Sequence, residues 1–292
     1  MPLQDKMARV LYEDGDRLTH HNFQQLATFI EETAGIRMPP VKKTMVEGRL
    51  RRRVRSLGLN SLEDYCAYLF RDGWIHDEAV HLIDAITTNK TDFFREPEHF
   101  HLLIDQIVPE LLSRRDRPGL DKPLKVWSAA SSIGAEPYTL AMVLDDFGRL
   151  KTGFRFSILA TDICTEVLVQ ARHAVYPADM AAPIPLEFQR RYLMRGRGSL
   201  QGSVRVRPEI RQTVAFGRLN LMDEDYPVNG PYDVIFCRNI LIYFDKATQE
   251  AVLRRLCRHL RPEGYLFVGH SETVTGLDLP LRALGSAVYR KK

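Results

Sequence analysis

The sequence predicts an α/β protein in two parts. A small N-terminal helical domain precedes a doubly wound, Rossmann-like domain that carries a small antiparallel β-subdomain insertion. Three observations carry this reading. Apolar residues follow a helical period over residues 19–85 and give way after about residue 101 to short apolar runs alternating with helical segments. The 292 residues exceed one ordinary domain of roughly 100–200. With 45% hydrophobic residues and a net charge of only +4, the chain can bury a core and lies outside the disordered regime.

The first part reads as four short helices. Phe23, Leu26, Phe29, Ile30 and Thr33 share one face, and Val46, Leu50, Val54 and Leu57 repeat the spacing. Ser61 looks like an N-cap, with Leu62, Tyr65, Leu69 and Phe70 turned inward, and a fourth helix is expected over 77–87. Residues 1–87 form this domain and 88–100 a linker. That linker is odd for a spacer, because Asn89, Thr91 and Arg95 stand beside paired aromatics.

From 101 to 292 strands are expected at 124–127, 156–161, 233–237 and 265–269, with a further apolar run at 213–219. Helices are expected at 136–150, 165–173 and 246–259, and Pro262-Glu-Gly264 reads as a turn. Strand and helix in alternation give a parallel sheet. The insertion spans about 175–214, with a helix near 185–192 and a hairpin near Gly196–Arg207.

Several classes fall away. The N-terminal Met1–Lys6 stretch has no apolar h-region, and no apolar run approaches ~18 residues, so neither a signal peptide nor a membrane span is expected. Cys66, Cys164, Cys237 and Cys257 form no CxxC pair, which suits a reducing cytoplasm. The nine His show no metal-ligand spacing, so no metal is expected.

In an open α/β sheet the ligand lies beyond the carboxyl ends of the strands. The small residues of Ser128–Gly134 let backbone approach a ligand before the next helix, and Asp162 follows the second strand where a carboxylate can accept ribose hydroxyls. Gly134 and Asp162 are 28 residues apart, longer than the ~20 of the dinucleotide fingerprint, and neither G-x-G-x-x-G nor a P-loop occurs. A nucleoside ligand without a diphosphate remains, and S-adenosylmethionine meets that description.

Five stretches now become specific: Thr88–Arg95, Val126–Tyr138, Ala160–Ile163, Phe236–Asp245 and Gly269-His-Ser-Glu272. In kind and order they resemble the chemotaxis receptor methyltransferases, the CheR-type protein-glutamate O-methyltransferases. The resemblance covers nearly the whole chain. It implies S-adenosylmethionine as cofactor, with Asn89, Thr91 and Arg95 of the linker, Glu136, Asp162, Asn220, Leu221, Arg238 and Asn239 as its contacts, and Tyr243 near the transferable methyl. Ile133-Gly-Ala-Glu136 departs from the family's common Thr-Gly-Glu-Glu but keeps Glu136. An arginine near the first strand is implied in substrate contact, with Arg114, Arg115 and Arg117 as candidates.

The chemistry implied is methyl transfer to a glutamate carboxylate of a chemoreceptor. A carboxylate titrating near ~4.3 is already charged at neutral pH, so the absence of a general-base constellation is no objection. Asn239 followed by Ile240-Leu241 lacks the Asn-Pro-Pro pattern of amine-directed enzymes. The partners implied are the cytoplasmic domain of transmembrane chemoreceptors and, at the β-subdomain, a receptor C-terminal tail added as a strand. The enzyme is expected to be a cytoplasmic monomer with no nucleic-acid partner.

Charge placement bears on docking. Arg37–Arg55 holds eight basic residues against Glu47 alone, while residues 1–85 as a whole carry a net of −1. Such a block needs solvent or an anionic partner. Read with the resemblance, Arg49, Arg51, Arg52, Arg53 and Arg55 form a docking face for an acidic receptor region. An RNA methyltransferase or a non-catalytic adaptor with the same fold are the competing readings.

Overall fold

The computed structural model describes residues 16–292, so the Met1–Lys6 stretch lies outside the described residues. The chain divides into two compact units at Thr88/Asn89.

The first unit is helical: α1 (His20–Ala34), α2 (Lys43–Ser56), α3 (Leu62–Cys66) and α4 (Ile75–Ile86). Thr19 and Ser61 cap α1 and α3 by accepting the amides of Asn22 and Asp64. Gly35 ends α1 in the left-handed conformation, at φ 70°, which glycine adopts without cost. Phe23, Leu26, Ile30, Val46, Leu50, Val54, Leu62, Tyr65 and Leu69 fill its core, whereas Phe29, Leu57 and Phe70 stay only half-buried at the edges of their stripes.

The second unit opens with a helical segment that the sequence reading lacks: α5 (Glu98–Leu102), a π-helical turn (Leu103–Ile107) and α6 (Val108–Ser113). Pro97 precedes the first helical residue, so it punctuates an element start where it was read as part of a spacer. Then follow β1 (Leu124–Ala129), α7 (Ala135–Arg149), β2 (Phe156–Asp162) and α8 (Thr165–His173). The insertion supplies β3 (Val175–Pro177), α9 (Leu186–Tyr192), β4 (Leu193–Arg195), β5 (Ser203–Val206) and α10 (Pro208–Arg211). The chain closes with β6 (Val214–Arg218), β7 (Tyr232–Cys237), α11 (Lys246–His259), β8 (Leu260–Phe267), β9 (Leu281–Gly285) and β10 (Val288–Lys291).

The main sheet has the order β6-β2-β1-β7-β8-β10-β9. Its first five strands are parallel, and β10 and β9 add antiparallel at one edge. Alternate residues of each central strand feed two different cores. Val126, Val234 and Phe236 join one apolar cluster, and Trp127, Ile235 and Leu266 join the other. A sheet covered on both faces needs this near-continuous apolar run. Pro262–Gly264 corrects the sequence reading. It is the opening of β8, not a reversal: pairing with β7 slips between Tyr232 and Val234 and Glu263 takes φ 60°, so the strand bulges. The insertion is likewise three strands, β3-β5-β4, where a hairpin was expected.

Candidate active site at the carboxyl ends of the strands

The parallel strands run in a common direction, and the residues expected at the cofactor collect beyond their carboxyl ends. After β1 the chain makes a tight turn in which Ala130, Ser132 and Gly134 all take positive φ (60°, 50° and 93°). The turn is fastened by Asp162 at the end of β2. One carboxylate oxygen accepts the Ser132 amide at 2.7 Å and the other the Cys164 amide at 2.9 Å. Ser132 in turn donates its hydroxyl to the Asn89 carbonyl at 2.8 Å, which ties the entering segment to the same turn. Gly134 leaves the N-terminus of α7 without a side-chain cap. The Ser131 hydroxyl in this turn is buried with no partner.

The aromatic pair explains the composition of residues 89–96. Phe93 is buried edge-on against Tyr176 at 5.0 Å, and the Phe94 amide donates to the Thr139 hydroxyl at 3.1 Å. These anchors hold the polar residues on either side of them at the strand ends, where the Asn89 and Arg95 carbonyls are bonded by Ser132 and Arg238. Thr91 and Arg95 are half-buried in this segment, and the Arg95 guanidinium donates back to the Lys90 carbonyl at 3.3 Å.

Arg238, directly after β7, organises the centre. Its side chain is 2% exposed and donates to Glu136 (3.1 Å), Glu96 (2.9 Å) and the Arg95 carbonyl (2.6 Å). It is one of the residues expected at the cofactor; its two terminal nitrogens orient two carboxylates, while its Nε is buried without a partner. Glu136 also accepts the Ser128 hydroxyl at 2.7 Å. Burial pushes the Glu136 carboxyl up despite Arg238, whereas at Glu96 the Arg238 guanidinium overcomes burial and holds the carboxyl down. Asn239 follows at φ 59°, with its amide nitrogen held by Glu272 at 2.8 Å and its side chain by Glu96 at 3.2 Å. Tyr243 sits half-buried at the end of a 3₁₀ turn over Leu241–Tyr243. At the β6 side, the Leu219 amide donates to the Asp162 carbonyl at 3.0 Å, and the Asn220 side chain accepts the Met222 amide at 3.0 Å. Leu221 is buried beside them.

Glu96, Ser128, Ser132 and Glu272 were not singled out from the sequence. Ser128, Ser132 and Glu272 did stand in quoted stretches and Glu96 beside Arg95, but the pairing of Glu96 with Arg238 across 142 positions leaves no local signal. Glu96, His99 and His270 bring ligand-type atoms within 4.8 Å of one another. Both Glu96 oxygens are already taken by Arg238, Asn239 and the His270 amide, and a guanidinium against them is a poor neighbour for a metal ion.

Both nitrogens of the buried His99 ring lack a hydrogen-bond partner. Burial, with Arg238 and His270 nearby, pushes the imidazole down to about 4 from 6.5, against the pull of Glu96 and Glu98. Between those values the unfolded chain binds a proton that the folded chain does not. Stability should therefore fall as pH drops from 6.5 towards 4, by up to about 3 kcal/mol from this group. Thermal melts of His99→Leu should show a flatter pH dependence over that window.

One set of sequence-assigned arginines is not at this edge. Arg114, Arg115 and Arg117 precede β1 and so lie at the amino ends of the strands. Arg114 donates to the Glu263 carbonyl and Arg117 pairs with Asp121. That placement removes them as partners of a group reacting at the carboxyl ends. The arginines assigned to docking lie on α2 and are described within the helical unit itself. There Arg53 grips the buried Glu78 with two bonds of 2.6 and 2.7 Å, and Tyr65 donates to the same carboxylate. Arg49 donates to the Ile86 and Thr87 carbonyls and Arg51 to the Asp16 carbonyl. Three of the five expected docking arginines therefore fasten the domain. Arg52 and Arg55 are exposed, three apart on the helix, and make no ion pair among the described residues. Among the described residues no helix is long and apolar enough to cross a membrane.

The uncapped α7 N-terminus, the orphaned Ser131 hydroxyl, and the carboxylates of Glu136 and Asp162 on either side of a turn without bulky side chains fit a nucleoside ligand with a cationic tail. Comparison with known proteins gives the same answer. A family model described as "CheR methyltransferase, SAM binding domain" matches residues 89–289, and one described as "CheR methyltransferase, all-alpha domain" matches residues 21–87. The chain is 42% identical to a "Chemotaxis protein methyltransferase" of Escherichia coli, covering 93% of this chain and 91% of that one. It is 40% identical to "Chemotaxis protein methyltransferase 2" of Pseudomonas aeruginosa, covering 93% of each. It is 34% identical to a "Chemotaxis protein methyltransferase" of Borreliella burgdorferi, covering 94% and 95%. The chain belongs to the CheR methyltransferase family, with S-adenosylmethionine as its cofactor.

Proposed function

We propose that the enzyme esterifies glutamate side chains in the cytoplasmic region of chemoreceptors. The observation that supports this best is an active edge with carboxylates already pinned by Arg238 and by backbone amides and no assembled nucleophile–base pair, on a chain similar throughout to chemotaxis methyltransferases. S-adenosylmethionine, when bound, supplies an electrophilic methyl on a sulfonium. A glutamate oxygen forms the O–CH₃ bond as the S–CH₃ bond breaks, S-adenosylhomocysteine leaves, and no proton moves. The chain's own task is alignment and exclusion of water. Asp162 and Asn220 are the residues for the adenosine half, Glu136 and Asn89 for the amino-acid half, with Thr91, Arg95, Leu221 and Asn239 around them. Arg238 acts through Glu136.

Tyr243 orients the reacting groups. Tyr243→Phe should lower kcat about 10–100-fold with little change in the dissociation constant of S-adenosylhomocysteine. Steady-state kinetics with calorimetry checks the split, and equal loss in both would place Tyr243 in cofactor binding instead.

The receptor meets the exposed face of α2 through Arg52 and Arg55. Replacing both with Glu should raise KM for receptor about tenfold, be salt-sensitive, and leave the melting temperature unchanged, since exposed charges contribute little to stability. Arg53→Ala should do the reverse, destabilising the helical unit through the orphaned Glu78 carboxylate. The short outer edge of β4 is the place for a receptor tail added as a strand. The function itself is tested by incubating receptor cytoplasmic fragments with methyl-tritiated S-adenosylmethionine. Base-labile label on glutamates is the expected result. Base-stable label, or label on RNA, would overturn the substrate assignment.

A further inference from the structure

We infer that Glu272 is a positioning residue for methyl transfer, whose buried carboxylate holds the loop after β7 that carries Asn239 and Tyr243. The inference rests on the function proposed above. Glu272 is 7% exposed and has no ion-pair partner among the described residues. Its charge is met by peptide groups. One oxygen accepts the amides of Gly269 (2.6 Å) and Asn239 (2.8 Å), and the other accepts the amide of Ile242 at 3.3 Å. A carboxylate that must be buried is stabilised by such donors, and it fixes their geometry in return.

What it fixes is the part of the loop that would not hold itself. Asn239 adopts φ 59°, a conformation that costs a non-glycine residue about 1 kcal/mol or more and persists only when its surroundings impose it. The Ile242 amide lies in the 3₁₀ turn Leu241–Tyr243, whose opening residues have no side-chain cap of their own. Glu272 provides that cap from another strand end. The fit is close on the far side too. A Cβ at Gly269 would lie 2.5 Å from the Asn239 side-chain nitrogen and 2.9 Å from the Glu272 oxygen. Asn239 is thus clamped twice, at its main chain by Glu272 and at its side chain by Glu96.

Glu272→Ala would take the acceptor from three main-chain amides, that of Gly269 buried, and risks the fold, so Glu272→Gln is the informative variant. Its amide oxygen can keep the Gly269 and Asn239 bonds, while its NH₂ would face the Ile242 amide, donor against donor. The variant should fold and bind S-adenosylhomocysteine within about threefold of wild type, yet lose about tenfold or more in kcat, because misplacement of order 1 Å is enough. In combination with Tyr243→Phe the losses should not multiply, since both act on the same turn. Wild-type kcat in Glu272→Gln, or full multiplicativity with Tyr243→Phe, would overturn the inference. Amide hydrogen exchange gives an arm independent of substrate. Faster exchange at Ile242 than in wild type supports the role, and unchanged exchange there rejects it. Absence of receptor labelling by the wild type would instead reject the substrate reading and leave Glu272 to be judged by that exchange.

Discussion

Arg238→Ala should cost about 3–5 kcal/mol of stability and abolish measurable cofactor binding. The guanidinium is 2% exposed between Glu96 and Glu136, which are themselves only 15% and 14% exposed. Removing it leaves two carboxylates out of water, close enough to repel, with no cation between them. Arg238→Lys should rescue little, because one ammonium cannot span two carboxylates and the Arg95 carbonyl in a fixed fork. The pH dependence gives the sign. Glu96 is held below its ordinary value of 4.5 in the folded chain, so its pairing stabilises fully above that pH and is lost as pH falls through the lowered value. The gap between wild type and Arg238→Ala in denaturant unfolding should therefore be widest near neutrality and narrow below about 4.5. A gap that stays constant from pH 7 to 4 would mean that the network is not electrostatic in origin.

Asp162→Ala is the second large effect. Affinity for S-adenosylmethionine should fall about 100-fold or more. Two amides, of Ser132 and Cys164, lose their acceptor, at a cost of about 2–4 kcal/mol in stability. The two losses share a cause. The turn after β1 depends on Asp162 to hold residues at positive φ, and the same carboxylate stands at the nucleoside end of the site. Asp162→Asn retains shape and one acceptor, so it should recover most of the stability and little of the affinity. Calorimetric titration beside thermal melts separates the two. A variant that melts early but binds normally once folded would confine Asp162 to the turn.

Much of this architecture is legible in the sequence because its causes are local. Short apolar runs such as 234–237 read as strands buried on both faces, and Ser61 announces a helix start by its side chain. The turn after β1 and the carboxylate after β2 follow from where ligands lie in such sheets. What could not be read depends on residues far apart in the chain. That Arg53 is taken by Glu78, or that Arg238 pairs with Glu136 and Glu96, is decided by packing between elements. Glu272 looks like any acid after a strand until three amides converge on it. Charge counting found the Arg37–Arg55 block but could not sort fasteners from free cations. Only burial does that, and it leaves Arg52 and Arg55 on the exposed face.

A crystal structure of this chain with S-adenosylhomocysteine tests the placement of the cofactor residues most directly. In that complex the ribose is expected at Asp162, the adenine beside Asn220 and Leu221, the amino-acid end near Glu136 and Asn89, and the sulfur directed towards Tyr243. A ligand seated elsewhere on the molecule, or with its sulfur turned away from Tyr243, would contradict it.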